Sequence, residues 1–188
     1  MYRKLKITEM GRMTIEQFRE SEKLPLVVVL DSVRSLYNVG SVFRTGDAFR
    51  ITGVVLCGIT ATPPNAEIHK TALGAEDSVS WRHFADTMDA VSWLKSDGYT
   101  LLAVEQCEGS TMLQDFHPDP SRRYAVILGN EVKGVQQQVV DACEGCLEIP
   151  QFGTKHSMNV SVTAGIVIYD MFCKLSLTPQ ITQITRFF

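Results

Sequence analysis

The fold class follows from the stretch Leu26-Val-Val-Val-Leu30-Asp-Ser-Val-Arg-Ser-Leu-Tyr-Asn38-Val-Gly-Ser-Val-Phe-Arg44-Thr. Its first five residues are an uninterrupted apolar run, which is typical of a strand that is covered on both faces of a sheet. A polar turn follows, and apolar residues then recur at helical spacing over about 38–50. The stretch therefore predicts a buried strand that leads into a helix.

The same alternation continues along the chain. Further strands are predicted at 53–57, 79–84, 99–104, 124–128 and 146–149, and further helices at 14–23, 65–73, 86–96, 135–143 and 159–175. Strands that alternate with helices predict an α/β fold with a mostly parallel sheet flanked by helices. Because ligands bind beyond the carboxyl ends of such strands, the candidate segments are those that follow Leu30, Val104, Leu128 and Ile149.

The composition is that of an ordinary folded domain. The chain has 188 residues, of which 45% are hydrophobic, and it lacks the apolar run of roughly 18 residues that a membrane span needs. Its 18 basic and 21 acidic residues give a net charge of −3, which argues against extensive phosphate contact. The start of the chain shows no secretory pattern and the five cysteines are scattered. We therefore expect a cytoplasmic protein without a disulfide framework.

The segment after Leu30 could serve a ligand through its helix. Asn38 is the predicted N-cap, and Gly40 and Arg44 lie one turn apart beside the apolar stripe of the helix. A glycine beneath an arginine would leave bare backbone that a phosphate or ribose can approach while the guanidinium reaches over it. A capped helix with a solvated arginine is the simpler interpretation, and spacing alone does not separate the two.

The next two candidate segments are polar. Gly129-Asn-Glu131-Val-Lys-Gly134 predicts a tight strand-to-helix turn, but it is neither a dinucleotide fingerprint nor a P-loop. An ordinary turn explains it equally well. Residues 150–159 predict a loop in which Ser157 or Asn159 caps the final helix. That helix is apolar around most of its circumference, so we expect the core, or the core and a partner subunit, to bury it on several sides.

Other patterns carry little chemistry. Cys143-Glu-Gly-Cys146 is a single C-x-x-C pair, which is too few ligands for zinc because a zinc site needs four. The pair lies at the end of a predicted helix, whereas a redox-active pair lies at the start of one. A structural role is the simpler interpretation. The four histidines lack metal-ligand spacing, and sequence order assembles no Ser/His/Asp set, so no metal site is predicted.

Three motifs, taken in order, carry a family resemblance. They are Asn38-Val-Gly-Ser-Val-Phe-Arg44-Thr, Leu128-Gly-Asn-Glu131-Val-Lys-Gly134, and Ile149-Pro-Gln-Phe-Gly followed by Ser157-Met-Asn-Val-Ser-Val. Together they closely resemble the motifs of SpoU-type (TrmH-like) RNA 2′-O-methyltransferases of the SPOUT superfamily, over about 25–175. Generic topology rules treat knots as exceptional. The resemblance nevertheless implies a deep C-terminal trefoil knot, S-adenosylmethionine (AdoMet) bound in that knot, and a homodimer formed through it.

The resemblance also assigns roles to residues. Arg44 matches the catalytic arginine of the family. Since a guanidinium stays protonated, we expect it to clamp a flanking phosphate and align the ribose 2′-hydroxyl. Asn38 and Glu131 are expected to hold Arg44 or the ribose, while Ser157 and Asn159 shape the pocket floor. The residues expected against the cofactor are Val104, Glu105, Gly129, Ile149, Ser157, Met158 and Asn159.

The expected organisation is an N-terminal arm at 1–24, a SPOUT methyltransferase domain at 25–176 and a tail at 177–188, without a separate RNA-binding domain. The expected function is methyl transfer to a ribose 2′-hydroxyl of RNA. The favoured substrate is tRNA, rRNA is the second choice, and no membrane partner is expected. A catalytically inactive RNA-binding or assembly factor on the same scaffold is the alternative, and a nucleotide-binding oxidoreductase lacks the glycine fingerprint. Candidate phosphate contacts, each explained equally well by a solvated surface, are Arg3, Lys4, Lys6, Arg12, Arg34, Lys70 and Lys155.

Overall fold

The structure, a computed structural model, describes residues 2–176. Within them one sheet holds the strands β1 (Leu24–Asp31), β2 (Ile51–Cys57), β3 (Trp81–Phe84), β4 (Tyr99–Val104), β5 (Thr111–Met112), β6 (Arg123–Leu128) and β7 (Gly145–Glu148). The helices are α1 (Ile15–Glu20), α2 (Leu36–Ala48), α3 (Ala66–Ala72), α4 (Ala75–Ser78), α5 (Thr87–Ser96), α6 (Gln137–Ala142) and α7 (Val160–Ser176), and short 3-10 turns span Ile7–Glu9 and Leu113–Asp115. The predicted tail at 177–188 lies outside the described residues.

All neighbouring strands pair in parallel, in the spatial order β3-β2-β1-β6-β4-β7-β5. The prediction of a parallel α/β sheet flanked by helices is therefore confirmed. β7 lies between β4 and β5, although β4 and β5 are consecutive along the chain. The connection 105–110 must therefore cross β7 to reach β5.

The central position of β1 explains its apolar run. Leu26, Val28 and Leu30 join the core on one face of the sheet, while Val27 and Val29 join the core on the other face. All five side chains are at most 4% exposed. Burying one such side chain contributes roughly 1.5–3 kcal/mol, so this strand stabilises both layers at once.

Helices cover both faces of the sheet. The core on the face of Leu26, Val28 and Leu30, called the first core below, also contains side chains of α2, α3, α4 and α7. The second core, on the opposite face, also contains side chains of α5 and α6. A capping box starts α1, because Thr14 Oγ1 accepts from Gln17 N at 3.2 Å and Gln17 Oε1 accepts from Thr14 N at 2.9 Å. Phe18 of α1 is buried in the first core, so the second half of the predicted arm packs on the domain.

The start of α2 differs from the prediction. Ser35 Oγ accepts the N–H of Asn38 at 3.3 Å and caps a helix that begins at Leu36. Asn38 lies inside the helix and is buried, so its predicted N-cap role is wrong. Two residues of similar capping propensity compete here, and the contacts of Asn38 with distant loops decide between them.

Two further boundaries were misplaced. The helix predicted from residue 135 begins only at Gln137, because carboxylates of neighbouring elements bind the N–H groups of Val135 and Gln136. The strand predicted from residue 79 begins at Trp81, because Val79 is the C-cap of α4. The short elements α4 and β5 were not predicted.

Candidate functional site

A cavity of about 860 Å³ lies beyond the carboxyl ends of β4, β6 and β7. Its wall combines the β4–β5 connection, the loop after β6 and the loop before α7. Parallel strands end at the same edge of a sheet, which is why these distant segments meet. Of the residues expected against a cofactor, the wall contains Val104, Glu105, Gly129, Ile149, Ser157 and Met158, and Glu131 lies on it as well.

The loop after β6 requires glycine at two positions. Asn130 and Gly134 form an antiparallel bridge, with N–O distances of 3.1 and 2.9 Å in its two directions. A Cβ on Gly129 would collide with the backbone of Gly134, which folds directly over it. Gly134 itself has a φ of +68°, a conformation that favours glycine. The predicted tight turn is therefore a folded loop over 129–136, and this loop lines the cavity.

Glu105 and Gln106 connect the walls of the cavity. Glu105 Oε2 accepts from the N–H of Val135 at 3.1 Å, which ties the β4–β5 connection to the loop after β6. Gln106 Nε2 donates to the carbonyl oxygen of His156 at 3.1 Å, which ties the same connection to the loop before α7. The three loops therefore form one hydrogen-bonded frame.

Glu131 binds the start of α2. Its carboxylate accepts from the N–H groups of Arg34 and Ser35 at 3.0 Å each, and from Asn38 Nδ2 at 3.1 Å. Partial burial opposes the charged form, but these donors outweigh it and hold the pKa of Glu131 below its ordinary value. The carboxylate thereby fixes the loop after β6 against the helix that carries Arg44.

Asn38, Glu131 and Asn159 form one hydrogen-bonded cluster, although each comes from a different sequence motif. Asn159 Nδ2 donates to Asn38 Oδ1 at 3.1 Å, and Asn159 Oδ1 accepts from Ser161 N at 2.9 Å. Asn159 is therefore the cap of α7, and Ser157 is left on the cavity wall. Asn159 contacts the cluster instead of the cavity wall, where it was expected.

Arg44 stands apart from this cluster. Its side chain is exposed on α2, and within residues 2–176 it has no hydrogen-bond or ion-pair partner. Asn38 and Glu131 hold each other instead of the guanidinium, so only their expected role toward a ribose stays a prediction. The backbone at Gly40 is not bare, as the ligand-binding interpretation of this helix required, because Gly40 packs α2 against α3 and a Cβ there would collide with the carbonyl oxygen of Ile68.

Asp31 was not among the predicted site residues. This carboxylate is fully buried at the end of β1. Its Oδ1 accepts from Thr87 Oγ1 at 2.7 Å and from Gln136 Nε2 at 2.9 Å, and its Oδ2 accepts from Gln136 N at 3.1 Å. It thus anchors the end of the 129–136 loop. A charged residue directly after an apolar strand was the available signal, but the sequence could not name its partners.

The cavity wall is acidic. Its only described lysine is Lys133, and it contains no arginine. Opposing this single cation are the carboxylates of Glu105, Glu108, Glu131, Asp141 and Glu148. Such a wall favours a positively charged ligand and disfavours a diphosphate.

Within residues 2–176, no three His, Cys, Asp or Glu side chains are placed to hold a metal ion. In the same residues no helix combines the length and the apolarity that crossing a membrane requires.

Among the candidate phosphate contacts, Arg3 pairs with Glu9 at 3.1 Å and Lys70 pairs with Glu67 at 2.6 Å. Both cations are therefore partly compensated.

The fold and site define an α/β protein with a ligand-sized, acidic cavity at the carboxyl edge of a parallel sheet. The model of the SpoU rRNA Methylase family matches residues 25–169. The chain belongs to this family, and the resemblance seen in its three motifs is confirmed.

Several relatives share the fold. Over 160 residues the chain is 27% identical to a TrmH family protein of Staphylococcus saprophyticus, an alignment that covers 85% of this chain and 63% of that protein. The chain thus spans less than two thirds of the length of the curated relatives it matches. The structure of an AdoMet-bound rRNA methyltransferase from Sinorhizobium meliloti is 26% identical, with a TM-score of 0.72, covering 80% of this chain and 59% of that one. The A. aeolicus TrmH/SpoU tRNA modifying enzyme, 21% identical, has a TM-score of 0.72 with 90% and 91% coverage and shows the shared fold.

Proposed function

We propose that the protein is an AdoMet-dependent RNA methyltransferase that transfers a methyl group to a ribose 2′-hydroxyl. The observation that carries this proposal is the cavity at the carboxyl edge, whose wall and supporting cluster draw on all three sequence motifs. Membership of the SpoU rRNA Methylase family supports the reaction class.

The cavity fits AdoMet in size and charge. Its volume of about 860 Å³ lies within the usual range for small-ligand sites. The apolar side chains of Val104, Ile149 and Met158 suit an adenine ring, and the surrounding carboxylates suit a cationic sulfonium and amino group. The 26% identical Sinorhizobium meliloti structure, which is AdoMet-bound, supports the same cofactor here.

Arg44 is the proposed catalytic residue. The sulfonium of the cofactor supplies an activated methyl group and an excellent leaving group, so positioning of the ribose dominates the protein's contribution. An exposed guanidinium without a protein partner is free to bind a phosphate of the incoming RNA. The cluster of Asn38, Glu131 and Asn159 fixes α2 relative to the cavity, and it offers polar atoms that can bind the ribose.

The sheet order supports the knotted topology that the family resemblance implies. β7 lies between β4 and β5, so the 105–110 connection crosses β7, as a chain threaded through that connection would require. We include a trefoil knot in the proposal on this ground, together with a homodimer in which α7 contributes its exposed apolar face.

The proposed substrate is a structured RNA in the cytoplasm, with tRNA tested first and rRNA as the alternative. The net charge of −3 and the compensated cations at Arg3 and Lys70 favour recognition by shape or by a loop nucleotide over broad phosphate contact. The Staphylococcus saprophyticus relative is described as a tRNA/rRNA methyltransferase, which includes both substrates.

The first experiment is calorimetric titration with S-adenosylhomocysteine, the demethylated product of the cofactor. We expect saturable binding that Gly129→Val abolishes, with thermal unfolding recorded for both proteins to show that the variant folds. Incubation with methyl-labelled AdoMet and unmodified tRNA or rRNA follows. A ribose-methylated product resists alkaline cleavage at the labelled nucleotide, because that cleavage needs a free 2′-hydroxyl.

The outcomes separate the two candidate functions. Binding of S-adenosylhomocysteine with alkali-resistant label supports the proposed reaction. Alkali-sensitive label instead identifies a base methyltransferase. RNA binding without any binding of S-adenosylhomocysteine favours the inactive RNA-binding factor.

A further inference from the structure

Two half-buried thiols lie against each other beside the cavity. Cys146 Sγ donates to Cys107 Sγ at 3.0 Å, which is about 1 Å longer than a disulfide bond. Cys143, the neighbour of Cys146 in the C-x-x-C pattern, donates from its Sγ to the carbonyl oxygen of Val139 at 3.2 Å, and among the described residues no hydrogen bond joins it to Cys146. The fold therefore pairs cysteines that are 39 residues apart.

The sheet holds Cys146 in place, and the turn after β4 brings Cys107 to it. Cys146 lies in β7 opposite Ala103 of β4. After β4 the chain turns over β7, where Glu105 N donates to the carbonyl oxygen of Leu147 at 3.1 Å. Cys107 follows on the same turn, and Cys146 Sγ lies 3.2 Å from the carbonyl oxygen of Glu105. Joining the sulfurs requires a movement of the Cys107 loop and leaves the sheet as it is.

Both cysteines line cavities that a small solute can enter. Cys107 lines the 860 Å³ cavity, and Cys146 lines a second cavity of about 350 Å³. Burial, followed by the contact with Cys107, raises the pKa of Cys146 to about 12, so Cys146 keeps its proton and donates it toward Cys107. By contrast, Cys57 is fully buried.

We propose that Cys107 and Cys146 form a dithiol site that hydrogen peroxide oxidises to an intramolecular disulfide. First, the Cys107 thiol takes one oxygen atom from peroxide, which gives a sulfenic acid and one water. The Cys146 sulfur then attacks the Cys107 sulfur, so that the S–S bond forms, the S–O bond breaks and hydroxide leaves as water with the Cys146 proton. In total two thiols lose two hydrogen atoms and one peroxide becomes two waters. A dithiol reductant reverses the reaction by exchange.

Formation of the disulfide affects the shape of the cavity through the two residues that precede Cys107. Glu105 and Gln106 hold the other two loops through the bonds to Val135 N and His156 O. Drawing the Cys107 sulfur toward β7 displaces the connection that carries both bonds. We expect the disulfide form to bind S-adenosylhomocysteine about tenfold more weakly, since a displacement of roughly 1 Å is costly at a fitted site. This expectation rests on the proposed function.

A peptide map tests the dithiol site. The full chain is treated with hydrogen peroxide, its free thiols are blocked with iodoacetamide, and it is digested with trypsin and a glutamate-specific protease. Cleavage at Glu144 separates Cys143 from Cys146, so mass spectrometry identifies each partner. We expect a linked peptide, lighter by two hydrogens, that joins Cys107 to Cys146 in the wild type and in Cys143→Ser. It should be missing in Cys107→Ser and Cys146→Ser, and dithiothreitol should remove it.

Three other results of the peptide map would contradict the proposal. These are a linkage between Cys143 and Cys146, a sulfinic acid at Cys107 without any linkage, or alkylation of both Cys107 and Cys146 after peroxide treatment. Calorimetric titration of reduced and oxidised protein with S-adenosylhomocysteine tests the coupling, and equal affinities contradict it. Should the reduced protein not bind S-adenosylhomocysteine at all, the proposed function fails, while the peptide map still decides the dithiol site.

Discussion

The Arg44 guanidinium is exposed and has no hydrogen-bond or ion-pair partner among the described residues. The polar groups of Asn38, Glu131 and Asn159, by contrast, bind one another. We expect Arg44→Ala to lower methyl transfer by about 100-fold or more, because alignment of the reacting groups is lost. Binding of S-adenosylhomocysteine and the melting temperature should not change. Arg122→Ala, which removes another exposed arginine, is the matched control, and full activity of Arg44→Ala would remove Arg44 from the mechanism.

Glu131 makes the site sensitive to acid. Its donors hold its pKa below the ordinary value in the folded protein, so its charged form stabilises the folded state above the unfolded-state pKa. This contribution is lost as the pH falls through the folded-state pKa. We therefore expect the melting temperature of the wild type to exceed that of Glu131→Gln at neutral pH, and the gap to close in the acid range. A gap that stays constant down to pH ~3, well below the ordinary range of a glutamate, would contradict this account.

The contact between α2 and α3 depends on Gly40. A Cβ there would collide with the carbonyl oxygen of Ile68, which is backbone and cannot rotate away. We expect Gly40→Ala to reduce the free energy of unfolding by about 1–3 kcal/mol, measured by urea denaturation. Gly153→Ala is the control, because it adds the same methyl group to the loop before α7, where nothing lies within 4 Å. That variant should change the free energy of unfolding by less than about 0.5 kcal/mol, and equal effects of the two substitutions would refute the packing role of Gly40.

The elements that the sequence predicts well are those whose patterns are local. Central strands such as β1 and β4 are buried on both faces, so their apolar runs mark them directly. β3 has an exposed face and β5 has two residues, so neither leaves such a pattern. The start of α2 was misplaced because Asn38 is held by Glu131, which lies 93 residues away. Boundaries set by distant contacts of this kind are not encoded in the local sequence.

Across the whole molecule, the motifs located the cavity wall but not its internal contacts. Topology alone brings the ends of β4, β6 and β7 to one edge, which explains why residues from separate motifs could be placed there in advance. The separation of Arg44 from the Glu131 cluster depends on side-chain geometry. The meeting of Cys107 and Cys146 depends on the insertion of β7 between β4 and β5. Neither arrangement has a counterpart in residue spacing.

The proposed homodimer depends on the second face of α7. One face of this helix is buried in the first core, as its apolar spacing predicts. The other leaves Val162, Ile166 and Tyr169 exposed at 53%, 38% and 57%, and a contiguous apolar patch of this kind marks an interaction surface. We expect Ile166→Lys to convert a dimer into monomers in sedimentation velocity, because it places a charge in an apolar contact. Ile59→Lys is the matched control, since Ile59 is 69% exposed and lies outside α7. A wild type that sediments as a monomer, or an Ile166→Lys variant that stays dimeric, would refute the interface.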